Sequence, residues 1–171
     1  MGLELELRTT DTRNVTVWSK TKQVLEGRLP EDLKGRVKYH YDVYRDGSSQ
    51  IQALSIKVDG KTWFCTNPKF YDELYNNTPD DIRYKPGTDN AIIKRTGYVT
   101  NSWGEAMKHI HDFLNVLSIE ESLTNDNYFI RMLALLDART GKRRVRKMAE
   151  NLKDEPEWFQ KWILLRLGKS V

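Results

Sequence analysis

The chain has 171 residues, of which 39% are hydrophobic and 30% are charged, with ten glycines, five prolines and a formal net charge of +4. This composition excludes collagen-like, low-complexity and wholly disordered chains, and the length suits one domain with its own core. We therefore interpret residues 1–171 as a single α+β domain that is strand-rich over 1–65, mixed over 66–101 and helical over 102–171.

The cysteine content and the first residues predict a cytoplasmic protein. Cys65 is the only cysteine, so no intrachain disulfide can form and a secreted disulfide scaffold is excluded. Because its neighbours Trp63 and Phe64 are apolar, we expect a buried structural thiol. Residues 1–6 lack the cationic and apolar regions of a signal peptide, and no apolar run approaches the length of a membrane span. We expect no membrane association.

Alternating residues predict an antiparallel meander of about four to six strands. The alternation covers residues 3–8, 37–44, 50–58 and 61–65, with a shorter run at Val15 and Val17. Asp46-Gly47 and Asp59-Gly60 separate the last three runs, and this dipeptide is typical of type I′ hairpin turns. The apolar phase changes at Ala53-Leu54, which predicts a bulge or bend there.

The following residues change from mixed to helical patterns. We predict a short helix over 68–75, a long loop over 76–90 and one more strand within 91–99. Two capping boxes, Ser102-x-x-Glu105 and Ser118-x-x-Glu121, mark helix starts. The nearly all-apolar segment 128–136 indicates a buried helix, and Pro156 begins the last helix.

A C-terminal group of four or five helices is therefore expected to pack on the sheet. An apolar stripe that stays in phase across Gly141 favours a kinked helix, or a closely abutted pair, over residues 127–153.

Positive charge is concentrated near the end of the chain. Residues 138–171 hold ten Lys or Arg against four Asp or Glu, whereas the rest holds 18 against 20. Six of these cations fall within nine residues: Arg139, Lys142, Arg143, Arg144, Arg146 and Lys147. Such asymmetry suggests an anionic partner, either nucleic acid or an acidic protein. The alternative is that the cations pair with acids of the chain itself, namely Asp137, Glu150, Asp154 and Glu155.

The strand region offers a weaker candidate site. Tyr39 and Tyr41 share parity with valines and are expected in the core, whereas His40, Asp42 and Tyr44 fall on the polar face near the 76–90 loop. His109 and His111 are two residues apart on a helix, so their side chains diverge and cannot clamp one metal ion. Nucleotide-binding and nucleophile-elbow motifs are absent from the sequence, and neither a metal nor a cofactor is expected.

These patterns leave three classes of function open. The first is a non-enzymatic binding or regulatory module whose basic helical face meets an anionic partner. The second is an assembly subunit that uses strand 3–8 or the last helix for a partner or a second copy. The third is a small enzyme with its site on the polar strand face. Residues 133–144 resemble a stretch near the C-termini of bacterial proteins of unassigned role, which implies a bacterial or phage origin and no particular activity.

Overall fold

The computed structural model describes residues 12–46, 49–66 and 103–170, with only the backbone described for 12–16, 44–46 and 49–51. Helix α1 (Thr12–Gly27) precedes strands β1 (Val37–Asp46), β2 (Ser49–Val58) and β3 (Lys61–Cys65). The C-terminal elements are α2 (Trp103–Asn115), α3 (Ile119–Leu123), α4 (Tyr128–Leu136), α5 (Lys142–Glu150), a 3-10 turn (Leu152–Asp154) and α6 (Glu157–Arg166). The predicted α+β class and the five helices after residue 102 are confirmed.

The sheet is an antiparallel meander in the order β1-β2-β3. At the second hairpin, Asp59 and Gly60 have φ angles of 49° and 81°, as a type I′ turn requires, so this predicted turn is confirmed. The described residues form three strands, fewer than the four to six expected. The strands predicted over 3–8 and within 91–99, the helix over 68–75 and the loop over 76–90 lie outside the described residues.

Strand β2 corrects the predicted bulge. Its pairing with β1 runs without a break from Val37↔Val58 to Asp46↔Ser49, and the only register shift lies between β2 and β3 at Ile56/Lys57. Ala53 and Leu54 point to opposite faces, and both are fully buried. A strand that is buried on both faces can carry apolar residues of either parity without bending, which is why the phase change produced no bulge at Ala53-Leu54.

Helix α1 replaces the strand predicted around Val15 and Val17. Trp18 and Leu25 are both buried and lie seven residues apart, which is two helical turns. The Trp18 ring meets the Trp103 ring edge-on with centroids 5.3 Å apart, and the Glu26 carboxylate accepts a hydrogen bond from the Tyr39 backbone N–H at 3.1 Å. Tertiary contacts with α2 and β1 thus outweigh the weak strand preference of the two valines.

One hydrophobic cluster joins α1, the sheet and the C-terminal helices. Val37, Tyr39 and Tyr41 of β1 lie on this side of the sheet with Leu54, Ile56 and Val58. Tyr39 is buried and Tyr41 is half-buried, as expected for core positions, whereas Val43 is exposed. The Phe64 and Phe129 rings stack with centroids 5.5 Å apart. Helix α4 is buried on nearly every side, which confirms the predicted central helix. Cys65 is partly exposed, in contrast to the buried thiol expected.

Helix boundaries in the C-terminal half follow local capping. Ser118 and Glu121 form the predicted capping box at α3, whereas Ser102 lies outside the described residues. The kinked helix or closely abutted pair favoured for 127–153 is not what forms: α4 ends at Leu136, Asp137 has an extended backbone, and α5 begins only at Lys142. Ala138 and Gly141, which belonged to the supposed apolar stripe, are exposed.

In the described parts of the chain, no helix combines the length and apolar character needed to cross a membrane.

The second hairpin gives a test of the fold. Gly60→Ala should destabilise the protein by about 1–2 kcal/mol, because alanine adopts the left-handed conformation at a cost of that order. The matched control is Gly27→Ala, at the end of α1, where a Cβ also meets nothing within 4 Å but no positive φ is required. It should be neutral or stabilising by up to about 1 kcal/mol. Urea unfolding compares the two, and equal stabilities would contradict the turn assignment.

Candidate anion-binding site

The connector between α4 and α5, residues 137–141, fixes where the basic helix lies. The Asp137 side chain is only 2% exposed. Its Oδ1 accepts hydrogen bonds from the backbone N–H of Arg139 at 2.8 Å and from Arg139 Nε at 3.0 Å, and its Oδ2 accepts one from Arg139 Nη2 at 2.9 Å. This carboxylate raises the pKa of Arg139. Ala138 N–H also donates to the Arg28 carbonyl at 2.7 Å, which ties the connector to the end of α1.

A buried arginine holds the same connector from the other side. Arg166, near the end of α6, donates from Nε to the Leu135 carbonyl at 2.7 Å and from Nη2 to the Thr140 carbonyl. Thr140 is also buried, and its hydroxyl donates to the Ala134 carbonyl at 2.6 Å. Burial lowers the pKa of Arg166. Carbonyl groups that α4 leaves without partners at its C-terminus are satisfied in this way.

Most residues of α5 are exposed, so its cations face outward. Val145 is its only buried residue. At about 100° per residue, Lys142, Arg146, Arg143 and Lys147 fall within about 140° of arc, away from Val145. All four are exposed. The N-cap residue of α5, Gly141, provides no side-chain cap.

The six predicted cations divide into two groups. Arg139 is bound to Asp137, and Arg144 donates to Glu120 on α3 and to the Arg139 carbonyl. Within residues 12–46, 49–66 and 103–170, no acid forms an ion pair or hydrogen bond with Lys142, Arg143, Arg146 or Lys147. Self-neutralisation therefore accounts for two of the six cations, one of them through Glu120, which the sequence did not suggest.

Two open grooves run beside the exposed face of α5. The larger, of about 780 Å³, is lined by Arg139, Gly141, Arg143, Arg144, Arg146, Lys147 and Glu150. The smaller, of about 430 Å³, shares Arg146 and Glu150 with it and reaches Lys169, beyond the end of α6. Sequence reasoning did not include Lys169, because only the packing of α6 against α5 brings it to this face. We call the surface formed by Lys142, Arg143, Arg146, Lys147 and Lys169 the basic face.

The polar face of β1 carries less chemistry than its residue types suggest. His40 is half-buried, and desolvation with nearby Lys57 and Lys22 lowers its pKa. Asp42 accepts a hydrogen bond from the hydroxyl of the buried Ser55 on β2. The described contacts include no hydrogen bond from His40 to either residue. Tyr44 has no described side chain.

Among the described residues, the groups suited to metal binding are dispersed. No set of three or more His, Cys, Asp or Glu residues within the described ranges could hold a metal ion. His109 meets Asn127, and His111 lies beside Asp112 at 3.6 Å.

The last helix, considered as a contact surface, buries Phe159 and Trp162 completely, so these two rings belong to the core.

The division of the cations predicts that Arg139 and Arg143 differ in their contribution to stability. Arg139→Ala should lower the free energy of unfolding by about 1–2 kcal/mol, because it leaves a buried carboxylate with fewer partners. Arg143→Ala, which removes an exposed and unpaired cation four residues later, should change stability by less than about 0.5 kcal/mol. Chemical denaturation of both variants measures the difference, and an Arg143 variant as unstable as the Arg139 variant would refute the division.

Comparison with known proteins places the chain in a family without indicating its activity. No curated protein and no solved structure matches it. A family model described as the SF0329 protein family matches residues 17–167, which covers most of α1, the whole sheet and all the C-terminal helices. The match includes all of α5 and all six predicted cations. The chain belongs to the SF0329 protein family.

Proposed function

We propose that this protein is a non-enzymatic binding or regulatory module that contacts the phosphate backbone of nucleic acid through its basic face. The observation that carries the proposal is the set of four exposed cations on one side of α5 that lack acidic partners among the described residues. Phosphate contacts by Lys and Arg release condensed counterions and supply most of the affinity of sequence-independent binding. A cytoplasmic location, suggested by the single cysteine, belongs to the same proposal.

Local helix energetics support an external role for these cations. Lys142 and Arg143 lie in the first turn of α5, where the helix dipole disfavours positive charge by a few tenths to about 1 kcal/mol each. Neither residue gains a described ion pair that would offset this cost. A bound anion would reverse the sign of the interaction, because it would meet both the cations and the positive end of the helix.

The residue types on the basic face favour nucleic acid over an acidic protein. Protein interfaces combine a desolvated apolar or aromatic centre with a polar rim. The outward arc of α5 contains four cations and Glu150, and the only apolar side chains that line the two grooves are the half-buried Ala149 and Leu167 at one end. No aromatic ring lines either groove, so base stacking is not part of the proposed contact. The face is therefore suited to backbone contacts without base readout.

Charge reversal tests the proposal directly. Wild-type protein should bind a fluorescent DNA duplex, and four phosphate contacts should weaken binding ~100-fold between 50 and 200 mM salt. The triple variant Arg143→Glu, Arg146→Glu and Lys147→Glu should lose binding at both salt concentrations. Fluorescence anisotropy measures affinity, and circular dichroism checks that the variant is folded.

A matched variant separates the basic face from net charge. Lys20→Glu, Lys38→Glu and Lys61→Glu change the net charge equally at exposed positions on α1, β1 and β3. This variant should keep most of the affinity. Equal losses in both triple variants, or no binding of duplex or single-stranded nucleic acid at low salt, would contradict the proposal. Tight binding to polyglutamate without binding to nucleic acid would identify an acidic protein partner instead.

Glu150 provides a test by gain of function. It lies one turn after Arg146 and Lys147 and lines both grooves, so it repels a phosphate bound to this face. Glu150→Gln should tighten duplex binding about threefold, since an exposed charge contributes up to about 1 kcal/mol. Asp126→Asn removes one exposed negative charge between α3 and α4 and should leave the affinity unchanged. An identical gain in both variants would show that only net charge matters.

A further inference from the structure

A polar contact between α2 and α4 is separate from the basic face. His109 is half-buried on α2, and its Nε2 lies 3.2 Å from Nδ2 of Asn127. Asn127 is the N-cap residue of α4. The centroids of the His109 and Phe129 rings lie 6.4 Å apart, so the imidazole also faces the first turn of α4.

The capping geometry determines which atom of the Asn127 amide faces the histidine. Asn127 Oδ1 accepts hydrogen bonds from the backbone N–H groups of Phe129 at 2.9 Å and Ile130 at 3.4 Å. Only the carbonyl oxygen of an amide can accept these bonds, so Nδ2, which only donates, points at His109. His109 Nε2 must therefore carry its lone pair, and the proton of the neutral ring must be on Nδ1.

We propose that His109 and Asn127 form a pH-sensitive lock between α2 and α4, which is closed when the imidazole is neutral and is opened by its protonation. A protonated ring has N–H groups at both nitrogens. Two donors would then face each other across 3.2 Å. Either the imidazole or the Asn127 amide must turn away, and turning the amide removes the cap from α4.

The charges around His109 do not provide a substitute partner on α4. Burial is the main influence, and it lowers the pKa of His109; Lys108 lowers it further, whereas Asp112 and Glu105 raise it. These three charged residues belong to α2 itself. The elements α1, β1, β2 and α4 contact α2, and none of their described residues supplies a charge that shifts the pKa of His109. The described contacts of the ring with these elements are the uncharged Asn127 amide and the Phe129 ring.

The direction of the pH effect follows from this preference for the neutral ring. The stabilisation by His109 is complete above the ordinary histidine pKa of 6.5 and is lost as the pH falls through the lower pKa of the folded state. Each unit by which folding lowers the pKa corresponds to a tenfold change in the folding equilibrium constant. Protonation of His40, whose pKa is also lowered, adds to the same trend, so His109 must be measured separately.

Nuclear magnetic resonance of the whole chain measures the tautomer and the pKa of His109 directly. At pH 8, long-range nitrogen–proton spectra should show His109 with its proton on Nδ1, and acid titration should give a His109 pKa below 6.5. The His111 side chain is 40% exposed and has no Asn partner among the described contacts, so it serves as the internal reference. An Nε2-protonated ring at pH 8, or a His109 pKa at or above 6.5, would overturn the proposal.

One substitution should reverse the sign of the switch. Asn127→Asp keeps a good N-cap, because Asp caps helices about as well as Asn, but it presents a carboxylate oxygen instead of an amide donor to His109. The pKa of His109 should then rise above its wild-type value. The contribution of His109 to the stability loss between pH 8 and 5, measured by comparison with His109→Gln, should disappear or reverse in the Asp variant. An unchanged His109 pKa in the Asp variant would show that burial alone, and not the Asn127 amide, disfavours the charged ring.

Discussion

The buried carboxylate of Asp137 is the interaction on which the arrangement of the C-terminal half depends. It lies where α4 ends, and it holds the backbone and guanidinium of Arg139 in one compact turn. A buried ionised group is unfavourable without partners, so the turn must keep Arg139 close. Arg166 fixes the same connector by donating to two of its neighbouring carbonyls. Because both ends of the connector are fixed, α5 leaves it in one direction and its basic face points outward.

The same interaction explains why a dense cluster of cations is only partly neutralised. Arg139 is bound within the connector, and Arg144 reaches back to α3. The remaining cations of α5 lie on the exposed arc of the helix, which they share with Glu150, and no described acid forms an ion pair with them. Stability of the fold does not require them, since exposed, unpaired charges contribute little. Because the fold does not use these cations, they remain available on one face for a partner.

Side-chain hydrogen bonds at helix ends also organise the packing of the other helices. Ser118 and Glu121 satisfy the first turn of α3, and Asn127 satisfies that of α4 while contacting His109 on α2. Asn127 thus makes a local capping bond and a contact with a second helix at once. This dual role is why the protonation of one imidazole can affect two separate helices.

The sequence alone determined the features whose causes are local. The Asp59-Gly60 turn, the Ser118 capping box and the buried helix 128–136 depend on residues within a few positions of one another, so their patterns were sufficient. The concentration of cations after residue 138 could likewise be read directly. Even the assignment of Tyr39 to the core followed from its parity with neighbouring valines.

The tertiary structure decided which partner each residue meets. Val17 lies in a helix because Trp18 and Leu25 pack against distant elements, and Ala53 needs no bulge because β2 is buried on both faces. Arg144 pairs with Glu120, 24 residues earlier, and Lys169 reaches the groove at Arg146. Burial and Coulomb interactions depend on distance in space, which periodicity along the chain does not encode. The sequence could therefore show that positive charge accumulates in this region, and only the fold could show which cations remain unpaired.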